Sequence, residues 1–90
     1  MNPTLVLTDE VLQDELAISL ARIITAANKC AHQAGINVAE SLMTITQISN
    51  ADLYWRVNYR ARDYINHRGS DVIIEVNATD VSIRQILRGQ

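Results

Sequence analysis

The sequence predicts an α+β fold, with one long N-terminal helix packed on a four-stranded antiparallel meander. Three observations lead there. A helical stripe of apolar residues fills the first third of the chain, and a strict period of two runs from Leu53 to Arg62. Short turn-like segments separate the remaining apolar runs, leaving no space for a second long helix between them. Ninety residues are enough for one domain, taken as 1–90, with a single core.

The helix is expected over about residues 8–34. Thr8 is its candidate N-cap, and Asp9 and Glu10 follow where carboxylates favour the positive end of the helix dipole. Leu12, Leu16, Leu20, Ile23, Ala27, Cys30 or Ala31, and Ala34 then recur at steps of three or four, which makes one apolar stripe. Ala26, Ala27, Ala31 and Ala34 leave little bulk along the C-terminal half, so that half can approach a partner surface closely. Gly35 supplies the stop.

Residues 37–43 support two readings. Asn37-x-x-Glu40 has the spacing of a capping box, whereas the β-branched run from Leu42 to Ile48 favours a strand over 42–49. A long second strand is expected from Leu53, reaching towards Ile65 (53–65). Its alternation sets Leu53, Trp55, Val57, Tyr59 and Ala61 on one face and Tyr54, Arg56, Asn58, Arg60 and Arg62 on the other. Asn66 to Ser70 has the composition of a loop. Strands over 71–77 and 81–88 follow, joined by a hairpin turn at Asn77–Asp80. Simple alternation places Val81, Ile83, Gln85 and Leu87 towards the core and Arg84, Ile86 and Arg88 outward. A meander has one apolar face to cover, and the helix is the available cover.

The order of helix, Trp55-Arg-Val-x-Tyr59 strand, Asp71-Val-Ile-Ile-Glu-Val76 strand, acidic turn at Asp80 and final strand resembles the PepSY-type domains. It is also similar to the gas-vesicle accessory protein O family, and the overall arrangement resembles a cystatin-like roll. The resemblance implies a small non-catalytic α+β domain, and neither family carries a catalytic residue over to this chain.

Composition narrows the function classes. The formal charge is −2, which disfavours bulk attraction to nucleic acid or an anionic membrane. The charge is uneven, since Arg56, Arg60, Arg62, Arg68, Arg84 and Arg88 all lie in the second half. Cys30 is the only cysteine, which removes an intrachain disulfide or a multi-thiolate metal site. The N-terminus lacks the basic and apolar regions of a signal peptide, so a cytoplasmic location is expected, with no membrane association.

No chemistry-bearing constellation assembles from local spacing. Cys30 and His32 stand two apart on the helix and diverge by about 200°, so they share no metal, and His67 falls in the predicted loop. Cys30 is expected to pack as a small hydrophobe. The pairs Asp9/Glu10 and Asp14/Glu15 compensate the helix dipole rather than flank a cleft. Glycines stand only at 35, 69 and 89, so there is no phosphate loop. Catalytic, metal and cofactor residues are therefore expected to be none. Trp55 and Tyr59 either line a pocket under the helix or fill the core there.

The remaining candidate is a surface. Tyr54, Arg56, Arg60, Ile73, Glu75, Arg84 and Ile86 are expected to share the outer sheet face, mixing arginine, aromatic and aliphatic groups as protein interfaces do. The expected function is a small accessory or interaction protein that homodimerises through this face or through an edge strand. Its partners are then a second copy, another protein, or both. The alternative is a module holding a small anion or apolar ligand between helix and sheet.

Overall fold

A computed structural model of the chain describes residues 14–62 and 71–88. The elements run in the order α1 (Glu15–Gln33), a 3₁₀ turn (Val38–Glu40), β1 (Ser41–Ser49), β2 (Leu53–Ala61), β3 (Val72–Asn77) and β4 (Ile83–Arg88). The four strands form one antiparallel sheet in the order β1-β2-β3-β4, the expected meander.

Helix α1 starts later than the apolar stripe suggests. Asp14 has extended backbone (ψ 108°), and its Oδ1 accepts the Ala17 N–H at 2.9 Å, so it is the N-cap. A short polar side chain that bonds the N3 N–H sets the start of this helix there. The expected cap at Thr8 and the pair Asp9/Glu10 lie outside the described residues. At the other end Gly35 adopts φ 87°. Ile36 N–H bonds Ala31 C=O at 2.9 Å and Gly35 N–H bonds His32 C=O at 3.0 Å. Those two bonds make a Schellman closure, with Ile36 packed back on the core behind it.

The α1 footprint on the sheet is narrow. Ile23, Ala27 and Ala31 are fully buried over β3, with lighter contact to β2 and β4. The alanines let the backbone approach, and Ile23 fills the space that remains. Beneath lie Trp55, Val57, Tyr59, Val72, Ile74 and Val76, while Leu20, Cys30, Met43 and Ile45 pack around the margin. The first turns of α1 overshoot this core, leaving Leu16 59% exposed.

The segment 37–43 combines both sequence readings. A 3₁₀ turn forms at Val38–Glu40, but Asn37 makes no side-chain cap, and the strand begins at once with Ser41. Ser41 Oγ instead donates to Asn37 C=O at 2.8 Å. Strand β2 ends at Ala61, short of the expected Ile65, and Arg62 lies in a turn with its N–H on Glu40 C=O. The loop at Asn66–Ser70, including Arg68 and His67, lies outside the described residues.

Trp55 and Tyr59 fill the core beneath α1, and Tyr59 also borders a small depression of about 200 Å³ beside Ile36 and Ser41. Tyr59 is 1% exposed and donates its hydroxyl to Asn28 Oδ1 at 2.7 Å. Burial of the ring, with a smaller contribution from Cys30, pushes its pKa up to about 12.

Candidate interaction surface

The face turned away from α1 is built by strand alternation. Register pairs Tyr54 with Asn77, Arg56 with Glu75 and Asn58 with Ile73, so these share the open face with Arg60. On the other flank β1 adds Leu42, Thr44, Thr46 and Ile48, opposite Arg60, Asn58, Arg56 and Tyr54.

β4 departs from simple alternation. Glu75 pairs with Gln85, but the next residue, Val76, pairs with Ile83, so Arg84 is an extra residue in a bulge. Every position after it is reversed relative to the sequence expectation. Gln85 and Leu87 stand on the open face, opposite Glu75 and Ile73. Ile86 and Arg88 pair with Ile74 and Val72 on the helix side. Ile86 is thus removed from the candidate surface and Leu87 takes its place. A bulge of this kind has no strong sequence signature, since neither Gly nor Pro marks it.

Tyr54, Arg56, Arg60, Ile73, Glu75 and Arg84 do share the open face. Their centre is Glu75, whose Oε2 accepts Arg56 Nε at 3.2 Å and Arg56 Nη2 at 2.9 Å. Its Oε1 accepts Gln85 Nε2 at 2.9 Å, and Arg84 Nε stands 3.9 Å away. Arg84 also places its guanidinium carbon 3.9 Å from the Tyr54 ring centroid and lies 3.8 Å from Asp52 Oδ2. Glu75 is only 1% exposed although no other layer of the described residues covers it. The arginines and Gln85 roof it, so the carboxylate is shielded by one layer of side chains with solvent just beyond.

That position sets its ionisation. Burial alone would raise the Glu75 pKa, but hydrogen bonds from Gln85 and Arg56 and the charges of Arg56 and Arg84 outweigh it and lower the value. The Glu75 bond in turn raises Arg56.

A second pair lies along the same face. Arg60 grips Asp71 with Nε at 3.0 and 3.2 Å and Nη2 at 2.8 Å, and this lowers the Asp71 pKa. Asn58 sits between the two clusters, and its Oδ1 is buried with no hydrogen-bond partner among the described residues. These carboxylates are held ionised by fixed cations. The arrangement suits rigid, complementary contacts better than proton transfer at neutral pH.

Elsewhere, α1 and the β3–β4 loop enclose a shallow depression of about 440 Å³, floored by Ala21, Thr25, Ala26 and Val81 and flanked by Arg22 and Lys29. Cys30 packs half-buried against the core, as expected for a small hydrophobe, and His32 is exposed on the opposite side. No three His, Cys, Asp or Glu residues gather into a metal set among the described residues. No helix among them is long and apolar enough to cross a membrane. Comparison with known proteins finds no matching family model, curated protein or solved structure.

Proposed function

We propose that the chain is a small cytoplasmic, non-catalytic interaction protein that works by homodimerising through its sheet. The observation that carries this reading is the mismatch between cover and sheet. Among the described residues one narrow helix packs chiefly over β3, with β1 at the margin of its footprint, and none covers the opposite face. The open face combines a pre-formed Arg56–Glu75–Arg84–Tyr54 cluster with exposed Leu42 and Leu87 at its margins. Groups already ordered in the monomer lose little entropy on association. Molar mass from light scattering across a concentration series tests the reading. A mass rising from 10.1 kDa towards twice that value supports it, and a constant 10.1 kDa contradicts it.

A small-ligand reading rests on the depression beside Val81, whose apolar floor and two flanking cations suit an amphipathic anion. The space between helix and sheet at Trp55 and Tyr59 is filled, so that ligand would sit on the side of α1 instead. Thermal-shift measurements with fatty-acid and phosphate probes separate the readings, because a ligand bound only by the folded state raises its melting temperature.

A further inference from the structure

The two edges of the sheet differ in how they are protected. β4 is six residues long, broken by the Arg84 bulge, and carries Arg84 and Arg88. A two-fold axis through Ile86 would set Arg84 against the partner's Arg88, so self-pairing there is opposed by charge and by shape. β1 has no such device. It runs nine residues, Ser41–Ser49, with neither a charge nor a proline, and no described residue pairs along its outer edge.

Its sequence, Ser-Leu-Met-Thr-Ile-Thr-Gln-Ile-Ser, is nearly mirror-symmetric about Ile45, apolar Met43 opposite polar Gln47 being the exception. Thr44 mirrors Thr46, Met43 mirrors Gln47 in length, Leu42 mirrors Ile48, and Ser41 mirrors Ser49. In a two-fold antiparallel pair centred on Ile45 each residue meets its mirror position, so this near-symmetry sets threonine beside threonine and aliphatic beside aliphatic, with no charge on either side. We propose that two copies of the chain join β1 to β1 about a two-fold axis at Ile45, making one continuous eight-stranded sheet. The inference rests on the homodimer reading and places its contact at the β1 edge, so the Glu75-centred clusters stay outside the contact.

In that register, paired residue numbers sum to 90. On the open face Leu42 meets the partner's Ile48, and Thr44 meets the partner's Thr46, each contact occurring twice. On the helix side Ile45 meets the partner's Ile45, and Met43 meets the partner's Gln47. Leu42 (47% exposed in the monomer) gains an aliphatic neighbour, and the threonines gain a cross-strand pair. No charge faces a like charge along the strand. With the axis normal to the sheet, both helices fall on one side and both Glu75-centred clusters on the other. The two β2 strands then stand about 14 Å apart, three strand spacings. A strand pair buries less than the roughly 1,600 Å² of a standard interface, so the dimer is expected to be weak and concentration-dependent.

Charge swaps at Thr44 and Thr46 test the register. Both residues are exposed on an edge strand, and circular dichroism verifies the fold of each variant. Three full-length double variants are compared with wild type by sedimentation velocity from about 1 to about 500 μM. In the first (Thr44→Glu with Thr46→Glu) and the second (Thr44→Lys with Thr46→Lys), like charges meet across the axis, and dimerisation is expected to weaken on the order of tenfold. An equimolar mixture of these two should recover the dimer. The third, Thr44→Lys with Thr46→Glu, places opposite charges together and should dimerise at least as well as wild type. If wild type dimerises and the like-charge variants do so equally, or their mixture gives no recovery, this register is overturned while the homodimer reading stands. A wild type monomeric throughout overturns both.

Discussion

Arg84 reaches across the whole width of β3 to lay its guanidinium 3.9 Å from the Tyr54 ring centroid on β2. The bulge makes this possible. As the extra residue in β4, Arg84 projects over the open face without an opposite partner in β3, and it roofs Glu75 on the way. The charge cluster is thereby tied to the irregular end of β4, and the other edge of the sheet is left smooth and neutral.

Glu75 is the keystone of that cluster, and Glu75→Gln should lower stability by about 1–2 kcal/mol. The value is modest because solvent lies just beyond the roofing side chains and screens the pair. The sign with pH follows from its lowered pKa. The unfolded chain takes up a proton first as pH falls below about 4.5, so the stabilisation is intact above that value and is lost as pH falls through the folded pKa. Asp71, also lowered, acts in the same direction just below it. Urea unfolding at a series of pH values should show a shallower acid decline in the Gln variant than in wild type.

Tyr59 carries the opposite dependence. Its pKa of about 12 lies above the ordinary 10.0, so its contribution is intact below pH 10 and is lost as pH rises through 12. Absorbance titration should leave one tyrosine protonated well above pH 10. Tyr59→Phe removes the 2.7 Å bond to Asn28 and should cost about 0.5–1.5 kcal/mol, with an unchanged denaturant slope.

Among the described residues Gly35 and Val81 hold positive φ, and they should respond differently to the same chemistry. Gly35 has φ 87° and open space where a Cβ would go, so Gly35→Ala should cost about 1 kcal/mol through backbone strain alone. Val81 holds φ 60° with a β-branched side chain, kept there by its contact with the core and by Asp80 Oδ1 accepting from Ser82 N–H and Oγ. Val81→Ala and Val81→Gly both lose that contact, but only glycine relieves the strain. The glycine variant should be more stable than the alanine variant, the reverse of the usual order, by about 0.5–1 kcal/mol.

Much of this fold was legible in the chain, for physical reasons that differ by element. The β2 alternation was unambiguous because every second residue from Trp55 to Tyr59 is apolar and buried, so one register suffices. Gly35 marked the end of α1 because few other residues accept that φ cheaply. The start of α1 was misplaced since Thr8 and Asp14 are both competent caps, and periodicity alone does not choose between them. On the candidate surface, six of the seven expected residues stand where alternation put them. Ile86 does not, because a bulge inverts alternation without altering composition. The mirror symmetry of β1 stood in the sequence throughout, but it acquires meaning only once β1 is known to be an edge.

Backbone hydrogen exchange along β1 measures the central claim most directly, because edge pairing protects specific amides in a concentration-dependent way. Alternate β1 amides point away from β2 and meet no partner among the described residues. At dilute protein these should exchange fast, and near-millimolar protein should slow them while the outward amides of β4 stay unchanged. Protection of β1 that rises with concentration is the expected result. Outward β1 amides that exchange freely at every concentration, or that are protected equally in the dilute monomer, would contradict it.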